Sequence, residues 1–557
     1  MIPIILAIFS YEKKRSNKIK IMPDHLSEDT IKSRIIIGTR GSELALWQAN
    51  YVKDLLAGIG LDSELKIIKT QGDKILNLSF DKLEGKGFFT KELEEELLGG
   101  TIDLAVHSHK DLPTNHPEGL IIAAVSDRED PAELLLILKD CVDVQQKLSV
   151  KFGGMVGTSS NRRKAQLLAV RPDLEIEELR GNVITRIQKL RDEKYDAIML
   201  AKAGVLRLGL DLSEFYIEEL EPNELIPAPA QGVLAYQIRE NDTVLFEKLQ
   251  TINNHDVAEQ IGIERKVLNL FEGGCQMPLG CYCRKDGSTF QIWTSKAADG
   301  TDFPDRLFTQ TETADGIAEK IVAKFTADRK FPMNIFITRE LSESSYLRNA
   351  LAKHQIEIEG RSLIRTFPYI NKLDPFILRN IDWVFFSSKN AIEYFFKLDP
   401  QLPKKVKFGV LGRASEDALR LHGKKADFNG EEEGIDTLDI AKEFAKQANG
   451  TTILFPSAKG SLKTIQKALA AETKIIELTV YETVSEENVQ QSNAEVLIFT
   501  SPSNVDSYFA ENLLEPDQKV ICIGKTTGQK FDEMGVKYSL PFSPDEMGLA
   551  EAIFALD

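Results

Sequence analysis

The stretch 155-MVGTSSNRRKAQLL-168 runs from a short apolar strand through a polar turn into a helix start. Ser159 or Ser160 is placed to cap the helix, and Arg162 and Arg163 then fall in its first turn. The same order recurs in 102-IDLAVHSHKDLP-113 and 196-DAIMLAKAGVLRLG-209. It opens at Arg34, where RIIIGT reads as a buried strand. Behind it Leu44, Trp47, Tyr51, Val52, Leu55 and Leu56 recur at helical spacing. A series of this kind predicts α/β lobes with mostly parallel sheets, and ligands at the carboxyl ends of the strands, where these turns lie.

A chain of 557 residues exceeds one hydrophobic core and implies three to five domains. A net charge of −16 argues against non-specific binding to nucleic acid or to anionic membranes. Five scattered cysteines make no disulfide framework, which fits a reducing cytoplasm. The opening MIPIILAIFSYEKKR is too short to span a bilayer and carries its positive charges after the apolar run, unlike a secretory signal. Residues 1–32 read as a dispensable extension or a misassigned start, with Met22 as the alternative start.

A break falls at 327-ADRKFPMN-334, and the chain beyond it carries an internal echo. The segments 383-WVFFSSKNAIEYFF-396 and 496-VLIFTSPSNVDSYF-509 share one pattern of strand, Ser/Thr/Asn turn and amphipathic helix. Each is followed by a second such unit, 409-GVLGRASEDAL-419 and 521-ICIGKTTGQKF-531. Two similar α/β lobes follow from this repetition.

Arg162 and Arg163 in a first helical turn oppose the helix dipole and repel each other. Arg180 and Arg186 in 180-RGNVITR-186, Lys202 and Arg207, and Arg40 with Ser42 in 39-TRGS-42 also lie at expected strand ends. These are either solvated surface charges or the lining of an anion site. Without a P-loop or a GxGxxG turn, a polycarboxylate is favoured over a nucleotide phosphate. Asp111, among these cations, is either a capping residue or an ionised group able to stabilise a cationic reaction centre. His107 and His109 share a strand face without a carboxylate or thiol at ligand spacing, and read as structural.

In 271-FEGGCQMPLGCYC-283, three of the five cysteines lie within nine positions. A zinc site, a disulfide and a covalent attachment point would each explain the cluster. Zinc is disfavoured, because Cys281 and Cys283 are separated by one residue and lack a fourth ligand nearby.

The motifs VHSHKDLP, GTSSNRRKAQL, LRGNVITRIQKL, AKAGVLRLGL, PAPAQGVLA and EGGCQMPLG occur in the order and spacing of hydroxymethylbilane synthase, also called porphobilinogen deaminase. The resemblance covers roughly residues 33–300. It implies two periplasmic-binding-protein-like α/β lobes, 33–128 with 227–250 and 129–226, and a small α+β third lobe, 251–330. It implies a dipyrromethane cofactor joined covalently to Cys275, a soft thiol nucleophile beside Gly273 and Gly274. Cys281 and Cys283 are then strand residues without a role. The implied reaction joins four porphobilinogens head to tail with loss of ammonia and releases hydroxymethylbilane. Asp111 would stabilise positive charge as each amine leaves. Ser108, Lys110, Asp111, Thr158, Ser159, Arg162, Arg163 and Arg186 would hold the cofactor. Arg40, Ser42, Phe89, Arg180, Arg186 and Arg207 would hold the substrate, with Phe89 stacking on a pyrrole or else packed in a core. Hinge motion is expected at 127-DREDP-131 and 226-IPAPAQ-231. Ala230 stands where the family usually has glycine, and Gln237 where an acid is common.

From Met333 the chain resembles uroporphyrinogen-III synthase, through FTSPSNV, CIGKTT and 479-TVYET-483. Two lobes with parallel sheets are implied, 333–366 with 484–557 and 367–483, together with cyclisation of the linear tetrapyrrole with inversion of its last ring. Closure without inversion occurs unaided, so the site must hold one conformation, with backbone N–H groups and small hydroxyls. Candidates are Thr338, Arg339, Ser388, Asn390, Ser457, Thr500, Ser501, Ser503, Thr526 and Thr527, with Tyr481 aiding hydroxyl departure. A helix-capping role is the alternative for each. A monomer without metal, nucleic acid or membrane partner is expected. The competing readings are an inactive C-terminal partner domain and a two-lobed anion receptor.

Overall fold

The computed structural model describes residues 34–70, 90–274, 276–370, 373–430, 437–461 and 463–556. The expected extension 1–32, Phe89 and Cys275 lie outside them.

The first sheet has the order β2-β1-β3-β10-β4, with β1 Ile35–Thr39, β2 Ser63–Ile67, β3 Leu104–Ser108, β4 Leu120–Val125 and β10 Leu234–Arg239. The second has the order β7-β6-β8-β5-β9, with β5 Glu133–Ile137, β6 Met155–Gly157, β7 Glu175–Glu177, β8 Ala197–Ala201 and β9 Tyr216–Leu220. Both are mixed sheets and not mostly parallel as the strand–turn–helix series predicts. The chain leaves the first sheet after β4 and comes back at β10, which runs antiparallel to β3 and β4. On the other side of the crossing, β5 enters antiparallel to β8 and β9. The parallel pairs are those joined by the predicted helices, β1 with β2 and β3, and β6 with β7 and β8.

A third body is the antiparallel meander β11 Leu279–Asp286, β12 Thr289–Lys296 and β13 Asp305–Thr311, covered by helices His255–Leu270 and Ile317–Thr326. Alternation along β11 puts Cys281 and Cys283 on one face, both fully buried among Ile263, Val267 and Ile292, while Tyr282 stacks on Trp293. Burial raises both thiols far above their ordinary range, so they are inert packing groups.

The chain beyond residue 333 forms two α/β bodies. One has the parallel order β15-β14-β22-β23, with β14 Asn334–Ile337, β15 Glu357–Gly360, β22 Val496–Phe499 and β23 Lys519–Cys522. The other has the order β16-β21-β20-β17-β18-β19, with β16 Ile364–Pro368, β17 Trp383–Phe386, β18 Lys407–Val410, β19 Phe428–Asn429, β20 Thr452–Ala458 and β21 Lys474–Ser485. Only β16 runs antiparallel there, against β21, and the lobe boundary expected at 366/367 falls inside β16. The internal echo is structural. Ser388 and Ser501 occupy the same place after β17 and β22, and each hydroxyl accepts a helix-capping bond, from Ala391 N and Asn504 N, both 3.2 Å.

The two crossings between the first sheets are pinned at one buried charge. Arg128 donates to Glu264 Oε1 at 2.6 Å and to Gln231 O at 3.0 Å. The Glu264 carboxylate, with no exposed surface, also accepts from Ala230 N at 2.6 Å and Cys283 N at 2.7 Å. Ala230 therefore sits at φ 63°, a left-handed conformation costing an alanine roughly 1–2 kcal/mol. Glu264→Ala strands a buried guanidinium and is expected to cost about 3–5 kcal/mol, read from denaturant unfolding.

Candidate active site

Strand ends of both N-terminal sheets and the second crossing converge on one cavity of about 110 Å³. Ser108 closes β3, and Lys110 follows in the 3-10 turn His109–Asp111. Arg163, Arg186 and Arg207 come from helices Asn161–Val170, Val183–Arg191 and Lys202–Leu208. Gln48 and Gln231, which the sequence reading did not single out, complete the polar lining. Leu44, Val183 and Leu200 form an apolar wall. Among the described residues the lining carries four cations and no carboxylate.

Packing Lys110, Arg186 and Arg207 away from water lowers their proton affinities. Burial lowers the Lys110 ammonium to about 8, against the pull of Asp111, while its Nζ donates to Gln231 Oε1 at 3.0 Å. Burial, then Arg163, lower Arg186 to about 10, opposed by Asp111. Its Nε donates to Gly181 O at 2.8 Å. Burial also lowers Arg207, whose guanidinium lies 5.9 Å from the Trp47 ring centre and donates to Gly232 O. A polyanion seated here would stabilise every one of these charges. Asp111 is exposed, immediately beside Lys110.

Arg162 has a different place. Its Nη2 donates to Glu133 Oε1 at 2.7 Å and its Nη1 to Ile226 O at 2.9 Å, and it is absent from the cavity lining. Arg163 binds the other oxygen of Glu133 at 2.7 Å and still lines the cavity. Burial pushes the Glu133 carboxyl up, but Arg163 and Arg162 outweigh it and hold it down at about 2. Arg162, expected to hold the cofactor, thus stands behind Arg163 and shares its carboxylate. An acid heading the otherwise apolar 133-ELLLI-137 was the available signal for that partner. The Ser159 hydroxyl donates to Leu179 O at 2.8 Å, and Thr158 Oγ1 accepts from Ser160 N at 3.3 Å, so both serve the turn. Arg180 pairs with Glu178 at 3.0 Å, outside the lining. Ser42 caps helix Glu43–Gly58, accepting from Ala45 N at 3.4 Å, and half-buried Arg40 precedes it.

The segment beside Cys275 adjoins this region. Gln276 O accepts from Asn161 Nδ2 at 3.3 Å, and Asn161 opens the helix that carries Arg162 and Arg163. A Cβ on Gly273 would lie 2.7 Å from Leu268 Cδ1 and 2.8 Å from Met277 Sδ, so a larger residue there would push those side chains aside, whereas Gly274 faces open space. His107 and His109 are buried and held uncharged, His107 at about 4 and His109 at about 3, chiefly by burial. His107 Nε2 meets Gln237 Oε1 at 3.1 Å, and Gln237 Nε2 donates to Glu94 Oε1 at 3.3 Å, so the amide at 237 links the imidazole to a carboxyl whose pKa burial raises.

In the C-terminal half, Ser388 and Tyr481 come from distant motifs and meet, Oγ to Oη 3.3 Å. Burial raises the Tyr481 phenol, and the ring stacks on Tyr394, centres 5.3 Å apart, a partner that sequence reading missed. Asn390 is half-buried in the same helix, and Ser457 is buried on β20. Thr338 is fully buried and its Oγ1 accepts from Thr500 N at 3.0 Å, which knits β14 to β22. Thr500, Ser501 and Ser503 remain partly exposed, Thr526 is exposed and Thr527 is buried. Arg339 donates to Glu546 Oε1 at 3.1 Å. No helix among the described residues is long and apolar enough to cross a membrane.

Residues 35–247 match the family model described as porphobilinogen deaminase, dipyromethane cofactor binding domain. The porphobilinogen deaminase of Fusobacterium nucleatum is 48% identical over 268 residues, 47% of this chain and 87% of the relative. That of Oceanobacillus iheyensis is 44% identical over 297 residues, 53% of this chain and 93% of the relative. The chain belongs to the porphobilinogen deaminase family. Residues 345–551 match the family model of uroporphyrinogen-III synthase HemD, and the chain is a bifunctional enzyme of tetrapyrrole biosynthesis. The anion-receptor alternative is set aside. Uroporphyrinogen-III synthetase from Helicobacter pylori 26695 aligns over 39% of this chain and 96% of its own length, with 18% identity and a TM-score of 0.30.

The depressed Lys110 gives a pH dependence of known sign. It loses its proton as pH rises through about 8, and the cavity loses one positive charge with it. The KM for porphobilinogen is expected to rise across that range in steady-state assays, and Lys110→Arg, which stays charged, to flatten the rise.

Proposed function

We propose that residues 33–330 assemble four porphobilinogens, with loss of ammonia, on a dipyrromethane group anchored at Cys275, and that residues 333–557 close the released hydroxymethylbilane with inversion of its last ring. The observation that carries the reading is a cavity with four cations and no carboxylate in a chain of net charge −16, beside the segment that holds Cys275. When bound, the dipyrromethane supplies the pyrrole end to which further units are joined. Lys110, Arg163, Arg186 and Arg207 are suited to its acetate and propionate groups, and Ser108 and Gln48 to neutral hydrogen bonds. Gln48 Nε2 already donates to Ser108 Oγ at 2.9 Å, which orients that hydroxyl. The apolar wall of Leu44, Val183 and Leu200 excludes water from the carboxylate contacts and strengthens them. Asp111, an acid among cations, stabilises positive charge beside the departing amine.

Each added unit brings two more carboxylates, so the cavity must lengthen. Arg40, Ser42 and Arg180, outside this lining, are suited to take up later units as the lobes turn about the crossings at Arg128 and Gln231. In the second half, Ser388, Tyr481 and Tyr394 form a polar-aromatic patch suited to the ring-bearing hydroxyl. Tyr481 Oη donates a proton to that hydroxyl as it leaves, and Ser501, Ser503, Thr526 and Thr527 fix the chain through hydroxyls and adjoining helix N-termini. The halves divide near residue 330, since among the described strands no sheet mixes the two. Monomeric, cytoplasmic work without nucleic acid or membrane partners fits the acidic charge.

The test is product analysis from porphobilinogen alone. The wild type is expected to give the inverted uroporphyrinogen isomer. Tyr481→Phe is expected to consume porphobilinogen at the wild-type rate while slowing inverted closure about 10²-fold, so that the uninverted isomer accumulates. Uninverted product from the wild type would overturn the assignment of the second half.

A further inference from the structure

The last helix, 546-EMGLAEAIFA-555, is apolar all round and not along one stripe, the pattern of a helix buried on more than one side. Leu549 and Ile553 pack with Ile335, Ile337 and Ile498 in the core of the four-stranded sheet. Phe554 belongs instead to the core of the third body, among Ile263, Leu279 and Ile321. One helix of the synthase half therefore completes a core of the deaminase half.

Polar contacts fix the same seam. Glu551 and Arg306 are each about 3% exposed, and Arg306 Nε donates to Glu551 Oε1 at 2.8 Å. The rest of that guanidinium reaches Glu224 O, at 2.9 Å, and Asn223 O, both just past β9 of the second sheet. Three bodies thus share one arginine. The helix's last carbonyls accept from third-body cations, Phe554 O from Arg329 Nη1 at 2.6 Å and Ala555 O from Lys324 Nζ at 3.1 Å. Phe542 meets Trp293 edge-on at 4.8 Å and Phe308 at 4.6 Å, and His354 Nε2 meets Asp305 Oδ1 at 2.7 Å.

We propose that helix Glu546–Ala555 is a working part of the deaminase: it closes the third-body core beneath the Cys275 segment, so deaminase activity depends on residues of the synthase half. Gly273 packs on Leu268, a member of the same core as Phe554, so loosening that core frees the loop that presents Cys275. The dependence rests on the deaminase reading, but its first readout, amide exchange, does not.

The test compares full-length Phe554→Ala and Glu551→Gln with Phe444→Ala, an equally large cavity in the six-stranded body away from the seam. Hydrogen exchange in peptides over 279–311 is expected to quicken about tenfold in Phe554→Ala, and the half-life of porphobilinogen consumption on heating to shorten about threefold. Phe444→Ala is expected to leave both within about twofold of wild type while slowing cyclisation. Unchanged exchange over 279–311 in Phe554→Ala, or an equal change in Phe444→Ala, would overturn the proposal. If Phe554→Ala does not fold, Phe554→Leu and Glu551→Gln carry the same comparison, with smaller shifts in the same direction.

Discussion

The Glu264 carboxylate is the constraint on which the N-terminal half turns. It is wholly buried, and a buried charge is tolerated only when paired and hydrogen-bonded. Its partners come from both strands that cross between the sheets, Arg128 on one and Ala230 on the other, and from β11 through Cys283 N. A single side chain of the third body thereby fixes where the two lobes pivot. Ala230 holds a left-handed backbone at that point, a local strain set against the hydrogen bond its N–H donates.

From that pivot the arginines divide by what stands behind them. Glu133 takes Arg162 wholly inward and leaves Arg163 facing the cavity, so one carboxylate both neutralises the pair and aims one member of it. Burial lowers the proton affinities of Lys110 and Arg186, while Asp111 pulls both the other way. A cavity left short of negative charge is primed for a substrate that brings carboxylates with every unit, and unsuited to a neutral one.

Much of this was legible in the chain. The strand–turn–helix units gave the parallel pairs, and the two echoing segments beyond residue 333 gave matching elements with Ser388 and Ser501 as equivalent caps. Direction of the returning strands was not legible, because β5 and β10 owe their antiparallel pairing to crossings whose geometry no local pattern encodes. For the same reason Arg162 and Arg163, adjacent and alike in sequence, separate only through a carboxylate nearly 30 positions away. Thr338 read as a site hydroxyl, and its tie from strand to strand was not legible, since burial depends on the neighbouring strand. Tyr481 and Ser388, 93 positions apart, were separate candidates in the chain, and only the fold brings their hydroxyls together.

The mass of the intact, denatured protein beside that of Cys275→Ser tests the central claim most directly. An increment of two linked pyrrole units on the wild type, absent from the variant, is expected. A wild type of unmodified mass, unchanged after incubation with porphobilinogen, would contradict a Cys275-anchored primer and the reading of the cavity built around it.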